Sequence, residues 1–181
     1  MHSGEVGIEI APILGASPHD DELADRIDAL LRRTCHIARA MTGAEQAALR
    51  LVVQDDPART RKYFSLSEKY AGYRDFRVDP HGFGLHGMEI PPGEVVRLTQ
   101  AEVEAHPLWN NFGPLAATHP PMRGWLALSV CGADGRVYGL LQLSDKSDGG
   151  DFDTDDEELV RELASLVGEA LDALRAAASD D

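Results

Sequence analysis

The residues with chemistry of their own gather in the middle of the chain. Tyr73, Phe83, His86, Trp109, Phe112 and His119, with Trp125 and Ser129 on the following apolar run, offer ring faces, imidazole nitrogens and a hydroxyl. A small-molecule site needs an apolar lining with a few polar groups. A long irregular segment inside a compact domain is often functional. These residues are therefore the candidate ligand-binding set. The competing reading is a minicore that closes a sheet, because aromatics dominate burial with or without a ligand.

Harder chemistry finds less support. His81, His86, His106 and His119 raise haem or metal binding, but their spacing matches no metal motif and no cysteine lies near them. Surface or hydrogen-bonded histidine is the simpler reading, and no cofactor is expected. Cys35 and Cys131 have no paired spacing and sit in apolar runs, as small core residues do. The acidic run from Asp151 to Glu157 mimics a calcium loop, yet the glycine required at its sixth position is Asp156. Acids complementing a helix dipole explain that run better. Catalytic signatures are missing as well: there is no nucleophile elbow, phosphate loop or dinucleotide fingerprint. His86 and Glu89 put an acid near a histidine, but such pairs are common by chance. The expectation is a protein that is not an enzyme.

The 181 residues suit one domain with a sizeable core, and their formal net charge is −14. A surface this negative repels phosphates, so nucleic acid and anionic membrane are poor partners. No stretch approaches the roughly 20 apolar residues of a membrane helix. The N-terminus lacks the cationic stretch of a signal peptide. The expected location is cytoplasmic.

Several elements must position the middle segment. Residues 1–16 have no clear period and read as a loose arm. Ser17-Pro18-His19-Asp20 starts a helix. Leu23, Ile27, Leu30, Leu31, Cys35, Ala38 and Met41 recur at helical spacing, and Gly43 caps the end, so the first helix spans about 18–41. Residues 47–53 read as a strand, Asp55-Asp56-Pro57 as a turn, and 61–67 as the hairpin partner. A short strand over 94–98 and a capping box from Thr99 to Glu102 follow, with Pro107 ending the short helix. Residues 123–130 and 137–143 form a hairpin about Asp134-Gly135, the second strand central and covered. A second capping box, Thr154 to Glu157, opens a helix over about 155–177 with stripe residues Leu159, Leu163, Leu166, Val167, Ala170, Leu171 and Leu174. Residues 179–181 are a solvated tail, leaving 17–178 as the domain. Strands joined by hairpins make an antiparallel sheet, and the two long helices must bury their stripes on one face of it or on each other.

Met122–Val130, Gly135–Lys146 and Phe152–Glu157, in that order, resemble the C-terminal half of a GAF domain. Some members of that family carry an Asn-Lys…Phe-x-x-x-Asp-Glu pattern. The matching positions are Asp145, Lys146, Phe152, Asp156 and Glu157, with Asp145 replacing the asparagine. The resemblance implies a structural ion pair between Lys146 and Asp156 that ties a strand end to the last helix. It implies an α/β (α+β) fold: an antiparallel sheet of five or six strands, long terminal helices on one face, and the variable segment over the other. A ligand, where there is one, sits under that segment. The terminal helices commonly make a homodimer and pass signals to a kinase, phosphatase or similar effector, as in two-component systems. The cysteine motif of bilin-carrying relatives and the grouped cysteines of methionine-sulfoxide-reducing ones are absent. The expected function is a bacterial small-molecule-sensing regulatory module. A ligand-free scaffold for dimerisation or docking is the alternative, with a haem or chromophore carrier or a reductase well behind.

Overall fold

The computed structural model describes residues 18–53, 56–73, 84–109, 117–120 and 122–179. The expected N-terminal arm lies outside these residues. Helix α1 spans Pro18–Thr42. Its stripe of Leu23, Ile27, Leu31, Cys35 and Ala38 is buried. Each large aliphatic side chain removed from water in this way contributes about 2 kcal/mol. The Thr42 hydroxyl donates to the Ala38 carbonyl at 2.8 Å. Gly43, at φ +69°, then turns the chain in the left-handed region that ends many helices.

Five strands follow among the described residues: β1 (Ala44–Val53), β2 (Asp56–Leu66), β3 (Val95–Leu98), β4 (Trp125–Cys131) and β5 (Val137–Lys146). They form one sheet in the order β2-β1-β5-β4-β3, and every neighbouring pair is antiparallel. β5 is central, as its nearly unbroken apolar run predicts. The expected turn at Asp55-Asp56-Pro57 needs correction. Asp56 already pairs with Val53, across an irregularity between Val52 and Val53, so the link is shorter. Proline is tolerated there because β2 is an edge strand.

Alternation along the strands separates two cores. Ala47, Leu49 and Leu51 of β1, Leu126, Leu128 and Val130 of β4, and Leu141 and Leu143 of β5 face one side. They share one cluster with the α1 stripe and with Val160, Ala164, Val167 and Leu171 of helix α3 (Thr154–Ser179). Both long helices therefore cover the same face and touch each other. Ser179, expected in the tail, is helical. A Cβ on Gly168 would stand 1.9 Å from the Cys131 carbonyl oxygen. Glycine is what lets α3 lie directly on the end of β4.

A second cluster lies on the opposite side, where Trp125, Ala127 and Leu140 meet Leu85, Ile90, Val103 and Met122. Leu85 belongs to a 3₁₀ turn, Gly84–Gly87, and Val103 to the short helix α2 (Gln100–Ala105). α2 opens with the expected reciprocal box between Thr99 and Glu102.

The expected box at α3 is displaced by one residue. Asp153 Oδ1 accepts from the Asp156 N–H and Asp156 Oδ2 from the Asp153 N–H, both at 3.0 Å. Aspartate caps as well as threonine. Asp156 also faces Lys146, which Glu157, one residue further round the helix, does not. Glu157 instead holds Arg161 at 2.9 Å.

Candidate functional site

The sheet face away from the long helices is laid out in rungs fixed by register. Lys62, Arg50, Leu140 and Ser129 stand side by side on β2, β1, β5 and β4. Phe64, Ala48, Gln142, Ala127 and Val96 form the next rung. Leu66, Gln46, Ser144, Trp125 and Leu98 form the third. The helix-covered face is almost wholly aliphatic across its central strands. This face buries Ser129, Gln142 and Ser144 at its centre. Small Ala48 and Ala127 flank Gln142 in the register.

The roof comes from the long connection after β2 and from the residues before β4. Leu85, Ile90, Met122 and Val103 pack on Trp125, Ala127 and Leu140, with Met88 and Trp109 at the margin. The Ser129 hydroxyl donates to the Ile90 carbonyl and pins the roof to β4.

At the far end of β5 the backbone of Asp145 takes a left-handed conformation, φ +65°. Aspartate and asparagine are the side-chain-bearing residues that tolerate this best. The turn sends a carboxylate that is 1% exposed toward the 3₁₀ turn Glu68–Tyr73. There Asp145 pairs with Lys69 and accepts from the Tyr70 hydroxyl at 2.8 Å. Its own N–H donates to the Arg123 carbonyl at 2.8 Å. The Tyr70 ring lies 5.5 Å from the His119 ring. His119 Nδ1 is 2.7 Å from the Pro120 carbonyl, which makes Nδ1 the protonated nitrogen of the neutral ring. Burial holds the His119 pKa below its ordinary 6.5.

Lys146, the next residue, points the other way. Its Nζ is 2.7 Å from Asp156 Oδ2, and both side chains are largely buried. The Asp156 hydrogen bond raises the Lys146 pKa. Two successive residues therefore fasten the end of β5 to both layers, Asp145 to the roof and Lys146 to α3.

The sequence-predicted residues fall into distinct places. Trp125 is a fully buried floor residue, and Ser129 is committed to the roof. Trp109 is half-buried at the margin of the second core, and the His119 ring packs at a tilt against Tyr70. Phe83 and Phe112, and the side chains of Tyr73 and His86, lie outside the described residues. His106 ends α2, and its Nδ1 accepts from the Leu108 N–H at 3.2 Å. No group of three or more metal-ligating side chains occurs among the described residues. Cys35 is buried, and desolvation pushes its thiol up to about 12, so it is inert at neutral pH. Cys131 is half-buried and also raised by burial.

Sequence reasoning missed Arg50, Lys69, Gln142 and Ser144. A polar residue at alternate positions of an apolar strand was the available signal for the last two.

The sequence profile of the GAF domain family matches residues 24–172. The chain belongs to the GAF domain family. Solved structures with the same fold include the GAF domain of a phosphoenolpyruvate-protein phosphotransferase from Coxiella burnetii. That pair has 17% identity, TM-score 0.62, and coverage of 88% of this chain and 94% of that one. The GAF domain of the cyanobacteriochrome TePixJ gives 19% identity, TM-score 0.63 and coverage of 89% and 97%. A domain of a putative two-component sensor histidine kinase from Sinorhizobium meliloti gives 14% identity, TM-score 0.56 and coverage of 83% and 93%. At such identities the likeness is one of fold. No described helix is long and apolar enough to cross a membrane.

Proposed function

We propose that this GAF domain is a non-enzymatic sensory module that binds a small organic molecule on the roofed face of its sheet. The binding would regulate a bacterial signalling partner, such as a kinase or phosphatase. The observation that carries the reading is the buried Gln142 amide between Ala48 and Ala127. A purely structural floor would be filled with aliphatic side chains, as the helix-covered face is. A polar group set among small ones suits an apolar site that orients a ligand with few hydrogen bonds. The structurally similar domains of a putative sensor histidine kinase and a cyanobacteriochrome are consistent with a signalling role.

The physical mechanism is differential binding. A ligand that engages the roof and the sheet together favours the state in which they are closed. Asp145 and Lys146 connect that state to α3. A thermal-denaturation screen against nucleotides, amino acids and small aromatic compounds tests the reading. A ligand of the folded state must raise Tm with concentration. A screen in which no compound does so refutes it.

Leu166 of α3 is 63% exposed, and Met41 of α1 is exposed as well. Those positions support a homodimer through the long helices. Light scattering over a concentration series would show the mass doubling, and a constant monomer mass would dismiss it.

A further inference from the structure

We infer that Arg50, Thr60 and Lys62 form an oxyanion-binding corner on the roofed face of the sheet. They would recognise the carboxylate or phosphate head of a small ligand whose apolar body lies toward Leu140. This inference rests on the ligand-binding reading above and names the chemical class of the ligand.

The first observation is unmet hydrogen-bonding capacity. Arg50 Nε is buried and has no hydrogen-bond partner among the described residues, and the same holds for the Thr60 hydroxyl. Buried polar groups are almost always paired, and these two, unlike the buried Ser67 hydroxyl that also lacks a partner among the described residues, stand diagonally across the β1–β2 pair. Register puts them together. Arg50 stands opposite Lys62 on β2, and Thr60, two residues from Lys62, stands opposite Val52. All three β2 and β1 positions share the face opposite the long helices. On the same strand Arg61 and Tyr63 point to the other side, where they bond Asp28 of α1.

The second observation is charge. Register sets Arg50 directly opposite Lys62, so two cationic side chains share this corner of the face. The chain carries a net charge of −14, so carboxylates to offset a cation are plentiful elsewhere. Arg61 pairs with Asp28, and Arg97 and Arg161 pair with Glu157. Arg50 makes no ion pair among the described residues. A guanidinium fork and a neighbouring hydroxyl suit a planar or tetrahedral oxyanion. Leu140, beside Arg50 on β5, belongs to the apolar cluster under the roof. A ligand with its head on Arg50 would therefore lay an apolar body on that cluster.

Ligand-observed NMR titration with benzoate, phenyl phosphate and neutral benzamide tests the inference. The unmodified protein should bind both anions, and benzamide roughly tenfold or more weakly. Relative affinities of benzoate and phenyl phosphate tell carboxylate from phosphate. Arg50→Gln should abolish the preference for the anions, and Thr60→Val should weaken both. Arg33→Gln, on the exposed surface of α1, should leave the titrations unchanged. Thr60→Val and Arg50→Met should also leave the ligand-free Tm equal or higher, because each removes an unmet buried group. Equal binding of benzoate and benzamide overturns the oxyanion assignment and leaves the roofed-site reading intact. So does an Arg50→Gln variant that keeps the preference, or an Arg50→Met variant of clearly lower ligand-free Tm. Failure of all three compounds to bind overturns the inference, and the screen described above then decides the broader reading separately.

Discussion

Lys146 Nζ lies 2.7 Å from Asp156 Oδ2, and that same oxygen accepts the Asp153 N–H at 3.0 Å. One carboxylate thus closes a helix cap and neutralises the cation at the end of the central strand. Asp156→Ala removes both functions and leaves a largely buried ammonium behind. The expected loss is about 3 kcal/mol, combining a broken buried pair with a lost cap. Lys146→Met should cost less, because Asp156 keeps its cap. The double variant should cost less than the sum of the two, since the sites are coupled. Urea unfolding of the three proteins measures all of this. Strict additivity would show that the pair carries no interaction energy.

Asp145 combines a left-handed backbone with a buried acceptor. Asp145→Asn keeps the conformation and an oxygen for the Tyr70 hydroxyl, and should cost about 1 kcal/mol. Asp145→Val loses the bonds to Lys69 and Tyr70 and forces a β-branched residue to positive φ, and should cost about 3 kcal/mol or more. Comparing the two by chemical denaturation separates this site from ordinary burial. Equal losses would count against the backbone argument.

Gly168 lies inside α3, where alanine is normally favoured by about 1 kcal/mol. Contact with the Cys131 carbonyl reverses the sign. Gly168→Ala should destabilise by about 2 kcal/mol as the helix is pushed off β4. A Tm equal to or above that of the parent protein would mean that α3 does not sit so close.

His119 gives the fold a pH dependence. Its pKa is held below 6.5, so the unfolded chain binds the proton more readily than the folded one. The stability due to the neutral ring is complete above 6.5 and is lost as pH falls through the lower folded value. His119→Gln should flatten that part of the profile. Unfolding midpoints followed from about pH 8 to about pH 5 read it out. An unchanged slope in the variant would assign the dependence to another group.

The elements were largely legible because their signals are local. The α1 stripe, the apolar run of β5 and the box at Thr99 each need only neighbouring residues. The site was less legible because its geometry depends on pairing between distant strands. Gln142 interrupts an apolar run in sequence, but its place between Ala48 and Ala127 appears only once the strands are paired. Arg50 looks like a surface residue of an edge hairpin until β5 covers its other side. The aromatics drew attention by type, yet Trp125 is floor and Trp109 is margin. The shifted cap at Asp153 shows a finer limit. Adjacent aspartates and threonine cap equally well, and the choice falls to whichever carboxylate also meets Lys146.

The central claim is that ligands occupy the roofed face of the sheet, oriented by Gln142. A thermal-shift comparison of the parent protein with Gln142→Met, of similar shape and volume, and with Leu166→Gln on the exposed side of α3 tests it most directly. Compounds that raise the parent Tm should lose most of that effect in Gln142→Met and keep it in Leu166→Gln. Full retention in Gln142→Met, with loss in Leu166→Gln, would place binding on the helices and contradict the account.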